Sequence, residues 1–189
     1  MRDVMALRLP TFEIGGYALS MAIATLDIRH PEPGDGPDLA DVFTQSWGEA
    51  YRGIIPDIDL RRIAGRRGAA YWNRVFDKNA RQLLVASFDG NAVGYVGFGR
   101  NRSHRIPAEG EIYELYVDPV YQGSGLGRML FEAARDRLAV RHFSGLVVWA
   151  LQANERADTF YRHLGGHVAG EDRIRMLSRD YRRIAYLWR

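Results

Sequence analysis

One segment, Tyr113–Arg128 (YELYVDPVYQGSGLGR), constrains the fold of this chain more than any other. It begins β-prone and is stopped by Asp118-Pro119, because proline has no N–H to donate to a ladder. It then crosses three glycines and enters a helical pattern, with Leu126, Met129, Leu130 and Ala133 at i, i+3, i+4 and i+7. A strand therefore ends, a short loop follows, and a helix starts near Gly125. The first N–H groups of a helix lack intrahelical partners, and the helix dipole adds positive potential there. Such a junction suits phosphate groups, and Gly123, Gly125 and Gly127 remove side chains that would hold a pyrophosphate away. Among glycine–phosphate patterns, a Walker loop needs GxxxxGK[ST], and the chain has no Lys-Ser or Lys-Thr. A dinucleotide fingerprint needs a third glycine where Arg128 stands, in a parallel βαβ setting. The pattern that remains is Q-x-x-G-x-G, filled by Gln122, Gly125 and Gly127.

The flanking sequence sets the context. Residues 21–29 read as a strand, and Pro31, Pro33, Gly34, Gly36 and Pro37 as a loop. Asp38 is the expected N-cap of a helix with Leu39, Val42, Phe43, Trp47 and Ala50 on one face, ending at Gly53. Short helices are expected over Asp59–Ala64 and Ala69–Phe76. Gln82–Phe88 and Ala92–Arg100 flank Asp89-Gly90-Asn91, which has the chemistry of a hairpin turn. Glu111–Val117 is the next strand, Gly145–Leu151 an apolar strand with Trp149 expected in the core, and Asn154 the cap of a helix striped by Ala157, Phe160, Tyr161 and Leu164. Gly165-Gly166 ends that helix, and Gly166–Met176 and Arg183–Arg189 are expected to close the sheet. The order predicts a mixed α/β fold with a mainly antiparallel central sheet flanked by helices. The length of 189 residues fits one domain, taken as 21–189, with 1–20 as an N-terminal extension.

Composition narrows the chemistry. With no cysteine there is no disulfide, thiol nucleophile or thiolate metal site. The five histidines show no HExxH spacing, and Gly165-Gly166 separates His163 from His167, so no metal is expected. The net charge of +3 comes from arginine, without a dense basic run, which argues against a nucleic acid partner. The first 20 residues are too interrupted to span a membrane or to serve as a signal peptide, and a cytoplasmic location is expected.

The run E-I-Y-x-L-Y-V-x-P-x-Y-Q-G-x-G-L-G from Glu111, together with Ser46–Pro56 (SWGEAYRGIIP) and Asn154…Phe160-Tyr161…Gly165, resembles the GNAT (Gcn5-related N-acetyltransferase) superfamily. The resemblance covers residues 21–189 in element order. It implies acetyl-CoA as acyl donor, with the backbone of Leu115, Tyr116 and Val117 pairing with the pantetheine arm as an added strand. It places the pyrophosphate at Gln122, Gly123, Ser124, Gly125, Leu126, Gly127 and Arg128, and Asn154 beside the pantetheine. The strands Glu111–Val117 and Gly145–Leu151 would part to admit the thioester, which an amine would attack directly. Glu111 matches the base that takes the proton of the amine, and Tyr161 the acid that protonates the departing thiolate. In a regular strand Glu114 points to the opposite face from Glu111; a bulge would change that. Trp47, Tyr51, Arg52 and Glu114 are candidates for the acceptor pocket. The acceptor is expected to be a small-molecule or protein amine, with no membrane partner and a homodimer left open. Two alternatives are a non-catalytic acyl-CoA sensor of the same fold and, last, a nucleic-acid-binding module.

Overall fold

The computed structural model describes residues 4–6 and 25–189. Eight strands form one sheet: β1 (Val4–Ala6), β2 (Thr25–Arg29), β3 (Leu83–Phe88), β4 (Asn91–Arg100), β5 (Gly110–Val117), β6 (Leu146–Leu151), β7 (His167–Met176) and β8 (Arg179–Trp188). Their order is β1-β2-β3-β4-β5-β6-β8-β7, and every neighbouring pair is antiparallel except β5–β6. Helices α1 (Gly36–Tyr51), α2 (Asp57–Ala64) and α3 (Ala69–Asn79) separate β2 from β3, α4 (Leu126–Val140) joins β5 to β6, and α5 (Glu155–His163) joins β6 to β7. This is the expected mixed α/β architecture. Among the described residues no helix is long and apolar enough to cross a membrane.

Strand alternation builds a core on each face. Leu84, Val96, Phe98, Ile112 and Val148 pack with Leu130 and Phe131 of α4 and with Tyr161 of α5. Val85 and Tyr95 project the other way, onto Leu39, Phe43, Trp47 and Trp72 of α1 and α3. The β3–β4 turn puts Asp89 at φ 48° and Gly90 at φ 85°, the left-handed pair that matches strand twist in a two-residue hairpin.

Several boundaries differ from expectation. β2 begins at Thr25, and residues 21–24 lie outside the described residues. Within the first 20 residues Val4–Ala6 pairs with Thr25–Asp27; the rest of that segment lies outside the described residues. Asp38 is not the cap of α1, which starts at Gly36; its Oδ2 instead accepts from the Ala92 N–H at 2.9 Å, tying the helix to the hairpin. β8 starts at Arg179, four residues early, because the polar run Arg179–Arg182 is held by backbone pairing to β7 and not by burial.

Two features of β5 shape the centre of the molecule. Its parallel pairing with β6 lasts only from Gly110↔Leu146 to Ile112↔Val148, after which the strands part. On its other edge Gly97 opposes Glu114 while Phe98 opposes Ile112, so Tyr113 is an extra residue, a β-bulge. Bulges bend a strand and re-aim its side chains, and this one sits where β5 leaves β6.

Candidate active site

The parting of β5 and β6 opens a cavity of about 530 Å³ that runs from the start of α4 to Tyr51 and Glu114. At the α4 end, Gly125 occupies the cap position at φ 92°, and no side chain caps the helix. The first helical bond runs from Met129 N to Gly125 O at 3.1 Å, which leaves the N–H groups of Leu126, Gly127 and Arg128 without helical acceptors. The glycines serve different purposes. Gly123 (φ 79°) and Gly125 supply left-handed backbone with open space around them, whereas a Cβ on Gly127 would lie 3.3 Å from the Phe160 ring of α5. Gln122, Gly123, Gly125, Gly127 and Arg128 line the cavity. Ser124 does not; its Oγ donates to Tyr121 O at 2.6 Å. The Leu126 side chain is core, so this residue offers only its N–H.

Along β5, the Asp118 N–H donates to Val93 O on β4. By alternation the Tyr116 backbone also faces β4, and those of Leu115 and Val117 face the gap. The Val117 carbonyl is already occupied, accepting from Ser46 Oγ and Gln122 Nε2, both at 2.9 Å. Across the gap Asn154 caps α5 as expected, its Oδ1 accepting from Ala157 N at 3.0 Å. Its side chain also interacts with the Tyr51 phenol, which meets Tyr116. Tyr161 lies in the cavity wall, 7% exposed. Burial, then the nearby Tyr51 and Tyr186, raise its phenol well above the ordinary value, so it stays protonated at neutral pH. Among the described residues its hydroxyl has no hydrogen-bond partner.

The bulge decides which carboxylate reaches this space. Ile112, Leu115 and Val117 all turn to the α4 side, so Glu114 falls on the α1–α3 side together with Glu111. Glu114 lines the cavity, and its Oε2 is 2.6 Å from Arg67 Nη1 in the α2–α3 loop. Arg67 is held between the rings of Phe43 (4.6 Å) and Tyr71 (5.0 Å), and Glu114 Oε1 has no protein partner among the described residues. Glu111 does not line the cavity. Its carboxylate, 4% exposed, accepts from the Arg102 N–H (2.8 Å) and from Arg102 Nη2 (2.6 Å), which encloses it under the β4–β5 loop. Glu114, an expected acceptor-pocket candidate, thus lines the cavity, while Glu111, the expected base, lies outside the lining; the bulge at Tyr113 puts both on one face.

Of the acceptor candidates, Tyr51 lines the cavity, with Trp47 stacked behind it at 4.4 Å. Trp47 is core, and Arg52 is exposed away from the lining. Trp149 is not fully in the core: it is half-buried against Val147 and Leu187 and lines the cavity. Arg67 had no sequence signal, lying in an aperiodic Gly-Arg-Arg-Gly loop.

The chain is similar to known proteins in sequence and in fold. Residues 41–165 match the sequence model of the Acetyltransferase (GNAT) family. The uncharacterised N-acetyltransferase YuaI of Bacillus subtilis (strain 168) is 25% identical over 162 residues, 85% of this chain and 91% of that relative. An uncharacterised N-acetyltransferase of Archaeoglobus fulgidus is 32% identical over 129 residues, covering 67% and 85%. The crystal structure of PaiA N-acetyltransferase from Thermoplasma acidophilum, in complex with coenzyme A, superposes with a TM-score of 0.68 over 84% of this chain and 97% of its own, at 18% identity, a likeness of fold. The matched segment opens in α1 and closes just after α5, so it takes in the bulged strand, the glycine loop and both helices that bound the cavity; the chain belongs to the acetyltransferase (GNAT) family.

Proposed function

We propose that this protein moves an acetyl group from acetyl-CoA to a primary amine by direct attack, without a covalent enzyme intermediate. One observation carries the reading: β5 and β6 separate after Ile112 and Val148, and the gap connects an uncapped helix start to a carboxylate and a protonated phenol. The residues fit the donor. The α4 N–H groups and Arg128 suit its phosphates, and the gap-facing backbone of Leu115 and the Val117 N–H suit a pantetheine amide. When bound, acetyl-CoA supplies an electrophilic thioester carbonyl.

The protein handles the protons. An acceptor arrives as ammonium and must lose one proton before it can attack. Glu114 is the carboxylate in the lining, and its free Oε1 takes that proton directly or through one water. Tyr161 supplies a proton to the departing sulfur, and the second N–H proton, released as the amide forms, returns through water to restore its phenol. Arg67 holds Glu114 in place from outside the lining.

The test is to incubate the protein with acetyl-CoA and a library of primary amines and follow free thiol. Amine-dependent thiol release is expected. Tight acetyl-CoA binding without release for any amine would instead identify a non-catalytic sensor of the same fold.

A further inference from the structure

The acceptor end of the cavity opens where the two strands part, between Tyr113 and Trp149. Both residues line the cavity, and each ring carries a guanidinium; the Tyr113 ring lies over Gly99 of β4, its hydroxyl donating to Arg100 O at 2.9 Å. Arg102 lies 4.0 Å from the Tyr113 ring centroid, and Arg183 of β8 lies 4.2 Å from that of Trp149. Among the described residues three carboxylates near this opening are paired: Glu111 with Arg102, Glu114 with Arg67, and Asp172 with Arg183 at 3.0 Å and Arg105 at 3.7 Å. Four arginines thus meet three carboxylates, leaving a surplus of positive charge. A polycation finds no uncompensated carboxylate here and meets like charge, which is discrimination by repulsion. The Arg183 side chain is 24% exposed, so part of its guanidinium still faces solvent beside Asp172. The planar guanidinium fork matches a carboxylate.

Resting on the acetyltransferase reading above, we infer that the acceptor is an amino carboxylate. Its amine is directed to Glu114, its carboxylate to the arginine rim with Arg183 foremost, and its apolar body to Tyr113 and Trp149. A free amino acid offers this chemistry, as does a peptide with an acidic residue at its N-terminus.

The experiment compares acceptors that differ only in the carboxylate. Phenylalanine and 2-phenylethylamine form one pair, and tripeptides beginning with Glu or Gln form a second, which separates the two sources. Spermidine is the polycation. Thiol release from acetyl-CoA gives kcat/KM, which should be at least about tenfold higher for the carboxylate member of the preferred pair. Arg183→Met should narrow that ratio to about twofold through KM, and Arg183→Lys should restore part of it. Calorimetric binding of the N-acetylated product should weaken in Arg183→Met, a readout independent of turnover. Should Arg183→Met fail to fold, Arg105→Gln, whose side chain is 75% exposed, removes one charge from the same rim and should lower the ratio. Equal or faster acetylation of 2-phenylethylamine or spermidine overturns the acceptor inference and leaves acetyl transfer standing. Thiol release that no acceptor raises above the amine-free rate overturns both.

Discussion

Replacing Glu114 with Gln keeps the shape of the side chain and removes its charge. Its partner Arg67 is only 27% exposed and Glu114 itself 20%, so the pair lies between the surface and buried limits. Leaving Arg67 with an amide oxygen in place of a carboxylate should cost about 1–3 kcal/mol of stability. The kinetic loss should be larger, roughly 10²–10⁴-fold in kcat/KM at pH 7, the usual range for removing a general base. Glu111→Gln should behave in the opposite way. Its carboxylate is almost wholly buried, but Arg102 is 63% exposed and partly screened by solvent. Weakening those charge-assisted bonds should cost about 1–2 kcal/mol, or roughly 2–8 °C in Tm for a domain of this size, with little change in turnover. Thiol release at saturating acetyl-CoA, at pH 7 and pH 9, should be measured on the same preparations as circular-dichroism melts. Part of the Glu114→Gln loss should return at pH 9, where more of the free amine is already deprotonated. If Glu111→Gln abolishes turnover without changing the melt, and Glu114→Gln is fully active, the argument from the bulge is refuted.

Tyr161→Phe keeps the ring and removes the hydroxyl; kcat should fall by roughly 10²-fold while KM for acetyl-CoA hardly moves, and full activity would reduce Tyr161 to packing. Gly125→Asp forces a side chain into φ 92°, at about 1–2 kcal/mol, and sets a carboxylate before the open N–H groups of α4. Calorimetry should then show acetyl-CoA affinity reduced at least about tenfold, and unchanged binding by a folded variant would remove the phosphate assignment. Tyr51, Tyr95, Tyr116 and Tyr161 are all held above the ordinary phenol value of 10.0, chiefly by burial. Above about pH 10 the unfolded chain releases these protons and the folded protein does not, so the unfolded state binds fewer protons and stability falls as pH rises. Melts that stay level from pH 9 to pH 11 would contradict the burial of these phenols.

Much of the molecule could be read from residues alone, because the relevant signals are local. The β-prone runs Leu83–Phe88 and Asn91–Arg100, the Asp-Gly turn between them, the helical spacing after Gly125 and the Asn154 cap each depend on neighbours a few residues away. So did the open helix start, since any helix leaves its first N–H groups unpaired. The choice of carboxylate was not legible. Regular alternation separates Glu111 from Glu114, and only the register of β5 against β4 shows that Tyr113 is an inserted residue that returns both to one face. The partners that distinguish them came from tertiary structure as well. Arg67 is 47 residues from Glu114 in sequence, and nothing in its loop marks it. Trp149 and Arg183 meet only because β8 pairs with β6 from the far end of the chain. Periodicity reports which way a side chain points within its own element; which element stands opposite is set by how the whole sheet closes.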